Sequence, residues 1–130
     1  MEPILKVQNL RIELTTRDGI APVIDDLSFE LAAGECVSFV GESGCGKSMT
    51  ALSIMGLVPN PPGEITSGSI TLEGEDLMSA DKARMRKIRG KDISMISQEP
   101  MTSLNPVFTV GEQIAEGLRL HEEGTRADAW

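Results

Sequence analysis

An eight-residue stretch rich in glycine constrains this chain more than any other feature of its sequence. It reads Gly41-Glu42-Ser43-Gly44-Cys45-Gly46-Lys47-Ser48 and fits the pattern G-x-x-x-x-G-K-[ST]. The glycines let the backbone form a concave loop whose N–H groups point at phosphate oxygens without interference from Cβ atoms. Lys47 is expected to reach the β- and γ-phosphates, and the Ser48 hydroxyl to bind Mg²⁺. The stretch therefore predicts a site for a nucleoside triphosphate, with ATP as the expected nucleotide.

The residues on either side of this phosphate loop support the prediction. Residues 36–40 (Cys-Val-Ser-Phe-Val) are nearly all apolar, which predicts a short strand buried on both faces. A helix is predicted from Gly46 to about Leu57, and the segment 59–63, with three prolines and a glycine, ends it. A helix that begins at the loop adds unpaired N–H groups and the positive end of its dipole. This order of strand, loop and helix is the arrangement that phosphate binding requires.

Residues before and after this unit predict the remaining elements. Apolar residues alternate with polar ones over 10–14 and over 27–31, and Arg17-Asp18-Gly19 between them is a turn signal, which predicts two antiparallel strands. Later elements are predicted as strands at 69–72 and 93–97 and a helix at 81–89. A last helix is predicted to begin at Thr109, whose hydroxyl caps it together with Glu112, and to end at Gly124. One face of this helix carries Val110, Ile114 and Leu118. The fold class expected is α/β: an N-terminal antiparallel β layer, a parallel core sheet and flanking helices.

Charge and composition exclude some classes of function. With a formal charge of −8, the 130-residue chain is a poor candidate for nonspecific nucleic-acid binding, so it must hold an anionic nucleotide through local donors. Residues 82–91 contain six of the 12 bases; the sequence favours a solvated helix face there over a membrane or nucleic-acid patch. The N-terminus lacks the pattern of a secretory signal, and two cysteines, Cys36 and Cys45, fit no disulfide framework, so a reduced cytoplasmic setting is expected.

A second run completes a resemblance to a known family. It lies 50 positions after Ser48 and reads Gln98-Glu99-Pro100-Met101-Thr102-Ser103-Leu104-Asn105-Pro106. With the phosphate loop, it resembles the ATP-binding subunit of ABC transporters, and within them the oligopeptide, dipeptide and nickel importer branch. The similarity extends from about Ile4 to the final helix. It implies a P-loop ATPase that couples ATP hydrolysis to solute import, with peptides as the expected solute.

The resemblance also implies roles for residues and for partners. Gln98 would be the Q-loop glutamine, which contacts Mg²⁺ and the attacking water, so that Lys47 and Gln98 are the catalytic candidates and Ser48 and Gln98 the metal ligands. Nucleotide contacts would extend from Gly41 to Met49, the last through its backbone N–H alone. The implied partners are transmembrane permease subunits, a second ATPase subunit (the same or a different chain) and, indirectly, a solute-binding protein, but no nucleic acid. The implied location is the cytoplasmic face of the cell membrane.

The resemblance covers only the N-terminal part of such a subunit. Residues 1–106 would hold the β layer, the phosphate loop and the Q-loop, and 107–130 the start of the helical subdomain. The family's signature sequence, Walker B strand and switch histidine do not follow, and His121 is not at the position of that histidine. The 130 residues should therefore bind nucleotide better than they hydrolyse it. Two alternatives remain open: a soluble ABC-type ATPase that acts on ribosomes or DNA, and a nucleotide-binding fragment without turnover.

The sequence leaves the recognition of the base less well defined. Many members of the family stack adenine on an aromatic residue of the first β layer, but residues 10–25 contain no aromatic residue. Contacts from apolar residues between Ile20 and Val23 are expected to replace it.

Overall fold

A computed structural model describes residues 2–122 of the chain. The chain folds as two compact units, Met1–Asp81 and Lys82–Trp130, and each unit is described by itself. The predicted division at residues 106 and 107 concerns subdomains of the family and stays a prediction. The end of the last helix predicted at Gly124 lies outside the described residues.

The first unit is built on a four-stranded antiparallel sheet. Its strands are β1 (Leu5–Thr16), β2 (Gly19–Leu31), β3 (Gly63–Leu72) and β4 (Glu75–Asp76), in the spatial order β2-β1-β3-β4. The predicted hairpin is confirmed, because Thr16 pairs with Gly19 across a turn of two residues. β3 is longer than the predicted strand 69–72, since residues from 63 onward also pair with β1. The core of the sheet consists of buried apolar side chains, among them Leu5, Val7, Leu10, Ile12 and Ile70.

The helix after the phosphate loop, α1, runs over Lys47–Ile54 and buries Thr50, Ser53 and Ile54. It ends three residues before the predicted end at Leu57, because the chain turns there through Gly56 at φ 62°. The N–H of Gly56 donates to the carbonyl of Ser53 (3.0 Å) and that of Leu57 to the carbonyl of Leu52 (2.8 Å). These two bonds form a Schellman motif, which satisfies carbonyls at the end of the helix.

Two predicted strands are wrong for this structure. Residues 36–40 form no strand and are exposed, with Val40 96% accessible, and 93–97 contribute only a single parallel bridge between Arg89 and Ile93. A buried parallel strand requires hydrogen-bonding neighbours and cover on both faces. Within residues 2–122, no other segment pairs with 36–40 as a ladder. The strand-like pattern is present in the sequence, but its partners are not among the described residues.

The second unit contains the helices α2 (Lys82–Ile88) and α3 (Val110–His121), with a 3₁₀ turn at Pro100–Thr102 between them. The predicted cap of α3 is confirmed, since the hydroxyl of Thr109 accepts a hydrogen bond from the N–H of Glu112 at 3.2 Å. The predicted apolar face of α3 is exposed, with Val110, Ile114 and Leu118 each about half accessible or more. Ala115 is the side chain that α3 buries among the described residues.

Candidate nucleotide-binding site

The backbone of the phosphate loop turns sharply at two glycines. Gly44 has φ 82° and Gly46 φ 94°, in the left-handed region that side chains with a Cβ rarely adopt. Between them the N–H of Cys45 donates to the carbonyl of Glu42 at 3.3 Å, which closes a tight turn. Residues 41–45 are exposed, so the loop lies at the surface where a ligand can reach it.

The first turn of α1 leaves its N-terminal N–H groups without a side-chain cap. Gly46 is the N-cap residue, and neither a capping hydrogen bond nor an acidic residue occupies the first turn. The Gly46 carbonyl accepts from the N–H of Thr50 at 2.9 Å and from the hydroxyl of Thr50 at the same distance. An uncapped helix start with no carboxylate in its first turn is an electrostatically favourable place for an anion.

The ammonium of Lys47 folds back over the mouth of the loop. Its Nζ donates to the carbonyls of Gly41 and of Glu42, the second at 2.8 Å, and lies 3.4 Å from Sγ of Cys45. The positive charge is therefore held close to the carbonyls of the first two loop residues. A polyphosphate placed there would meet one ammonium group and several backbone N–H groups at once.

Two glycines of the loop also leave little room for a side chain. A Cβ on Gly46 would lie 3.1 Å from the carbonyl oxygen of Val23 and 3.2 Å from Cγ1 of Ile24, both on β2. A Cβ on Gly41 would lie 2.5 Å from Sγ of Cys45. Gly46 thus lets α1 start directly against the sheet, and Gly41 leaves space for the side chains that fill the loop.

A cavity of about 300 Å³ opens beside the loop within the first unit. Its walls are residues 23–27 of β2, residues 39–40, residues 45–47 and Thr50. The volume is at the lower end of the range for small-molecule sites. Of the residues expected to contact the base, Val23 lines this cavity, whereas Ile20 lies at the start of β2 with 69% of its surface exposed.

Gln98 belongs to the second unit, where it lies in an exposed bend. The run that follows Gln98 is hydrogen-bonded to α3 through the side-chain amide of Gln113, a residue that no sequence pattern singles out. Gln113 accepts from the N–H of Asn105 at 2.9 Å and donates to the carbonyls of Asn105 (2.9 Å) and Phe108 (3.0 Å). The structure thus gathers Gly41 to Met49 around one loop, while the role of Gln98 stays a prediction.

Thr50 is a second residue that sequence reasoning missed. It is 4% exposed, and its hydroxyl donates a hydrogen bond to the carbonyl of Gly46, the N-cap residue of α1. Neither Thr50 nor Gln113 stands out in sequence, because each acts through a backbone contact that depends on local geometry. Among residues 2–122 no group of three or more His, Cys, Asp or Glu side chains is arranged to hold a metal ion.

Comparison with known families identifies the family of this chain. The family model described as "ABC transporter" matches residues 24–130, which include the whole phosphate loop and the run after Gln98. The chain belongs to the ABC transporter family. The resemblance inferred from sequence is thereby confirmed.

Curated relatives of this ABC family chain are named for peptide transport. A dipeptide transport ATP-binding protein of Bacillus subtilis is 47% identical over 99% of the chain, and an oligopeptide transport ATP-binding protein of the same species is 49% identical over 99%. An oligopeptide transport ATP-binding protein of Haemophilus influenzae is 48% identical over 94%. The chain spans 38%, 39% and 37% of the lengths of these relatives, respectively.

Solved structures confirm the predicted fold class. A bacterial ABC transporter cassette, solved as a dimer, superposes with a TM-score of 0.80 at 24% identity, covering 93% of this chain and 49% of the cassette. The same cassette in a post-hydrolysis state with ADP and phosphate gives 0.77 at 22% identity, covering 96% and 53%. The described part of the ABC family chain includes no helix of the length and apolarity that a bilayer crossing demands.

Proposed function

We propose that this chain is the nucleotide-binding part of an ATPase subunit that energises an ABC importer of peptides. The observation that carries the proposal is the phosphate loop, where the ammonium of Lys47 stands at the uncapped start of α1. The peptide specificity rests on the names of the relatives, which favour transport over a soluble ATPase that acts on ribosomes or DNA.

The nucleotide would be held mainly by its phosphates. Backbone N–H groups from Gly41 to Met49 would donate to phosphate oxygens. Lys47 would exchange its hydrogen bonds to the carbonyls of Gly41 and Glu42 for hydrogen bonds to the β- and γ-phosphates. Each of those carbonyls then loses a charged donor, so the loop must rearrange locally when nucleotide binds. The residues present fit the group, because they offer donors and the first turn of α1 carries no carboxylate.

A magnesium ion would be bound through the Ser48 hydroxyl, with Gln98 as a further proposed ligand. Ser48 is exposed in the first turn of α1, so a hydrated ion can reach its hydroxyl oxygen. When bound, magnesium neutralises charge on the terminal phosphates. Lys47 and Gln98 are the residues of this chain that we assign to catalysis, the first by stabilising phosphate charge and the second by positioning water.

The partners proposed are permease subunits that cross the membrane, a second ATPase subunit and, indirectly, a solute-binding protein. This places the subunit at the cytoplasmic face of the membrane. Residues 1–106 would form the β layer, loop and Q-loop, and 107–130 the start of the helical subdomain. Hydrolysis by the 130 residues alone is expected to be near background, because phosphoryl transfer depends on positioning groups that the resemblance assigns to other parts of the family's subunits.

Equilibrium binding of MgATP to the Lys47→Ala variant tests the site. Removing the ammonium should reduce affinity at least about tenfold, since hydrogen bonds to charged groups contribute about 1.5–3 kcal/mol. Lys82→Ala provides the matched control, because it removes an exposed lysine from the second unit without touching the loop. Isothermal titration calorimetry with MgATP and MgADP measures both variants.

The proposal fails if well-folded wild-type chain shows no heat with either nucleotide. It also fails if Lys47→Ala binds MgATP as tightly as Lys82→Ala does. A phosphate-release assay on the same samples separates binding from turnover, and a rate well above background would contradict the expected lack of turnover.

A further inference from the structure

Ten consecutive residues concentrate positive charge in an otherwise acidic chain. Residues 82–91 contain six bases and no acid, although the whole chain carries a net charge of −8. The Debye length at physiological ionic strength is about 8 Å, so a charged partner responds mainly to the charges that it faces. This segment can therefore attract a polyanion even though the protein as a whole would repel one.

The structure presents these bases on the outside of α2. The helix buries Met85 (5% exposed) and Ile88 (1%), and leaves Lys82, Arg86 and Lys87 exposed. The two buried residues fix which side of the helix turns inward. The exposed cations of α2, together with Lys91 after it, are called the basic face below.

A groove of about 420 Å³ lies beside the basic face, between α2 and the last turn of α3. It is lined by Arg84, Lys87, Lys91, Asp92, Leu120 and His121. Nζ of Lys91 lies 3.5 Å from the carbonyl oxygen of His121, at the end of α3. The side chain of Leu120 is 59% exposed, so the groove combines cationic groups with an accessible apolar one.

The charges at the groove leave a positive excess. The C-terminal ends of α2 and α3 together contribute about one negative charge, and Asp92 contributes a second. Three basic side chains, those of Arg84, Lys87 and Lys91, line the same groove and outnumber its one carboxylate. The groove therefore favours an anion, and the cations of α2 outside it add to the attraction.

Phospholipid fits this combination better than nucleic acid does. Clusters of four to eight basic residues on a helix are typical of binding to anionic lipids. Nucleic acid would gain from large aromatic side chains that stack on bases, and neither residues 82–91 nor the groove lining contains a Phe, Tyr or Trp. Leu120 offers an apolar contact to the glycerol and upper acyl region of a lipid, which a free phosphate could not use.

We propose that the basic face binds the surface of an anionic phospholipid bilayer, with the phosphate of one headgroup in the groove. This contact does not depend on nucleotide binding or on a permease. It would hold the subunit at the membrane surface through its second unit.

Cosedimentation of the full chain with vesicles tests the proposal. The chain should bind vesicles of phosphatidylserine and phosphatidylcholine at physiological salt, and should be released by high salt and ignore pure phosphatidylcholine. Lys87→Gln/Lys91→Gln should weaken partition about 25-fold, because each basic side chain near an anionic surface contributes about fivefold. Lys6→Gln/Arg17→Gln makes the same change in net charge within the first unit and should alter partition less than about twofold.

Circular dichroism establishes whether each double variant is folded. Release of the wild-type chain from vesicles by high salt tests the electrostatic contact without any substitution. Absence of binding by the folded wild type to anionic vesicles would overturn the proposal, as would equal losses in the two double variants. Competition by inorganic phosphate at constant ionic strength, without vesicle binding, would assign the groove to a free anion instead. Tighter binding to duplex DNA than to the anionic vesicles would reject the lipid as its partner.

Discussion

Replacing Gly46 with alanine probes the junction between the phosphate loop and the sheet. The added Cβ would stand 3.1 Å from the carbonyl oxygen of Val23 and 3.2 Å from Cγ1 of Ile24, on a backbone with φ 94°. The left-handed conformation costs an L-residue about 1–2 kcal/mol. Crowding in a packed contact costs about a further 1–3 kcal/mol. The neighbours cannot yield easily, because Ile24 is 6% exposed and paired with Ile12.

Gly44→Ala separates these two contributions. Gly44 has a similar φ of 82°, but nothing lies within 4 Å of an added Cβ, so only the conformational cost applies. We expect Gly46→Ala to lower the free energy of unfolding by about 1–3 kcal/mol more than Gly44→Ala does. Urea denaturation followed by far-UV circular dichroism measures the difference.

Nucleotide binding should separate the same two variants. Gly46→Ala pushes the start of α1 away from β2, so the N–H groups there no longer converge with Lys47, and MgATP affinity should fall more than in Gly44→Ala. Equal losses of stability in the two variants would refute the close contact between the loop and β2. If Gly46→Ala and Gly44→Ala lost equal stability but differed in MgATP affinity, the effect of Gly46→Ala would lie in the loop conformation alone and not in its packing on β2.

Three further predictions concern single side chains. Alkylation of Cys45 should block MgATP binding, since its Sγ lies 3.4 Å from Nζ of Lys47, and bound MgATP should slow the alkylation of Cys45. The exposed Cys36 is the internal control, and equal protection of both thiols by MgATP would contradict the prediction. Ser48→Ala should leave binding of metal-free ATP unchanged but weaken its enhancement by Mg²⁺, as titration calorimetry with and without the ion would show. Thr109→Ala should destabilise α3 by about 1 kcal/mol, while Thr109→Ser retains the capping hydroxyl; identical denaturation curves for the two would exclude a contribution of the cap.

Signals carried by neighbouring residues predicted their structures well. The turn at Arg17-Asp18-Gly19 joins β1 and β2 as expected, and Thr109 caps α3 as expected. Each depends on interactions over two or three positions, which leave a readable pattern. The predicted strand at 69–72 was shorter than β3, and the strand predicted at 36–40 was wrong, because strand formation depends on partners far along the chain.

The amino-acid sequence was enough to predict the phosphate loop, because its glycines, Lys47 and Ser48 are contiguous and bring backbone N–H groups, an ammonium and a hydroxyl together in one short segment. Three contacts became visible only in the folded chain: Gly46 lies against β2, the hydroxyl of Thr50 donates to the carbonyl of Gly46, and the amide of Gln113 binds the run after Gln98 to α3. The tertiary structure also decided that residues 36–40 have no ladder partner among the described residues. The physical reason is the same in each case: a loop organises its own donors, whereas packing and strand pairing require a second segment in the right place.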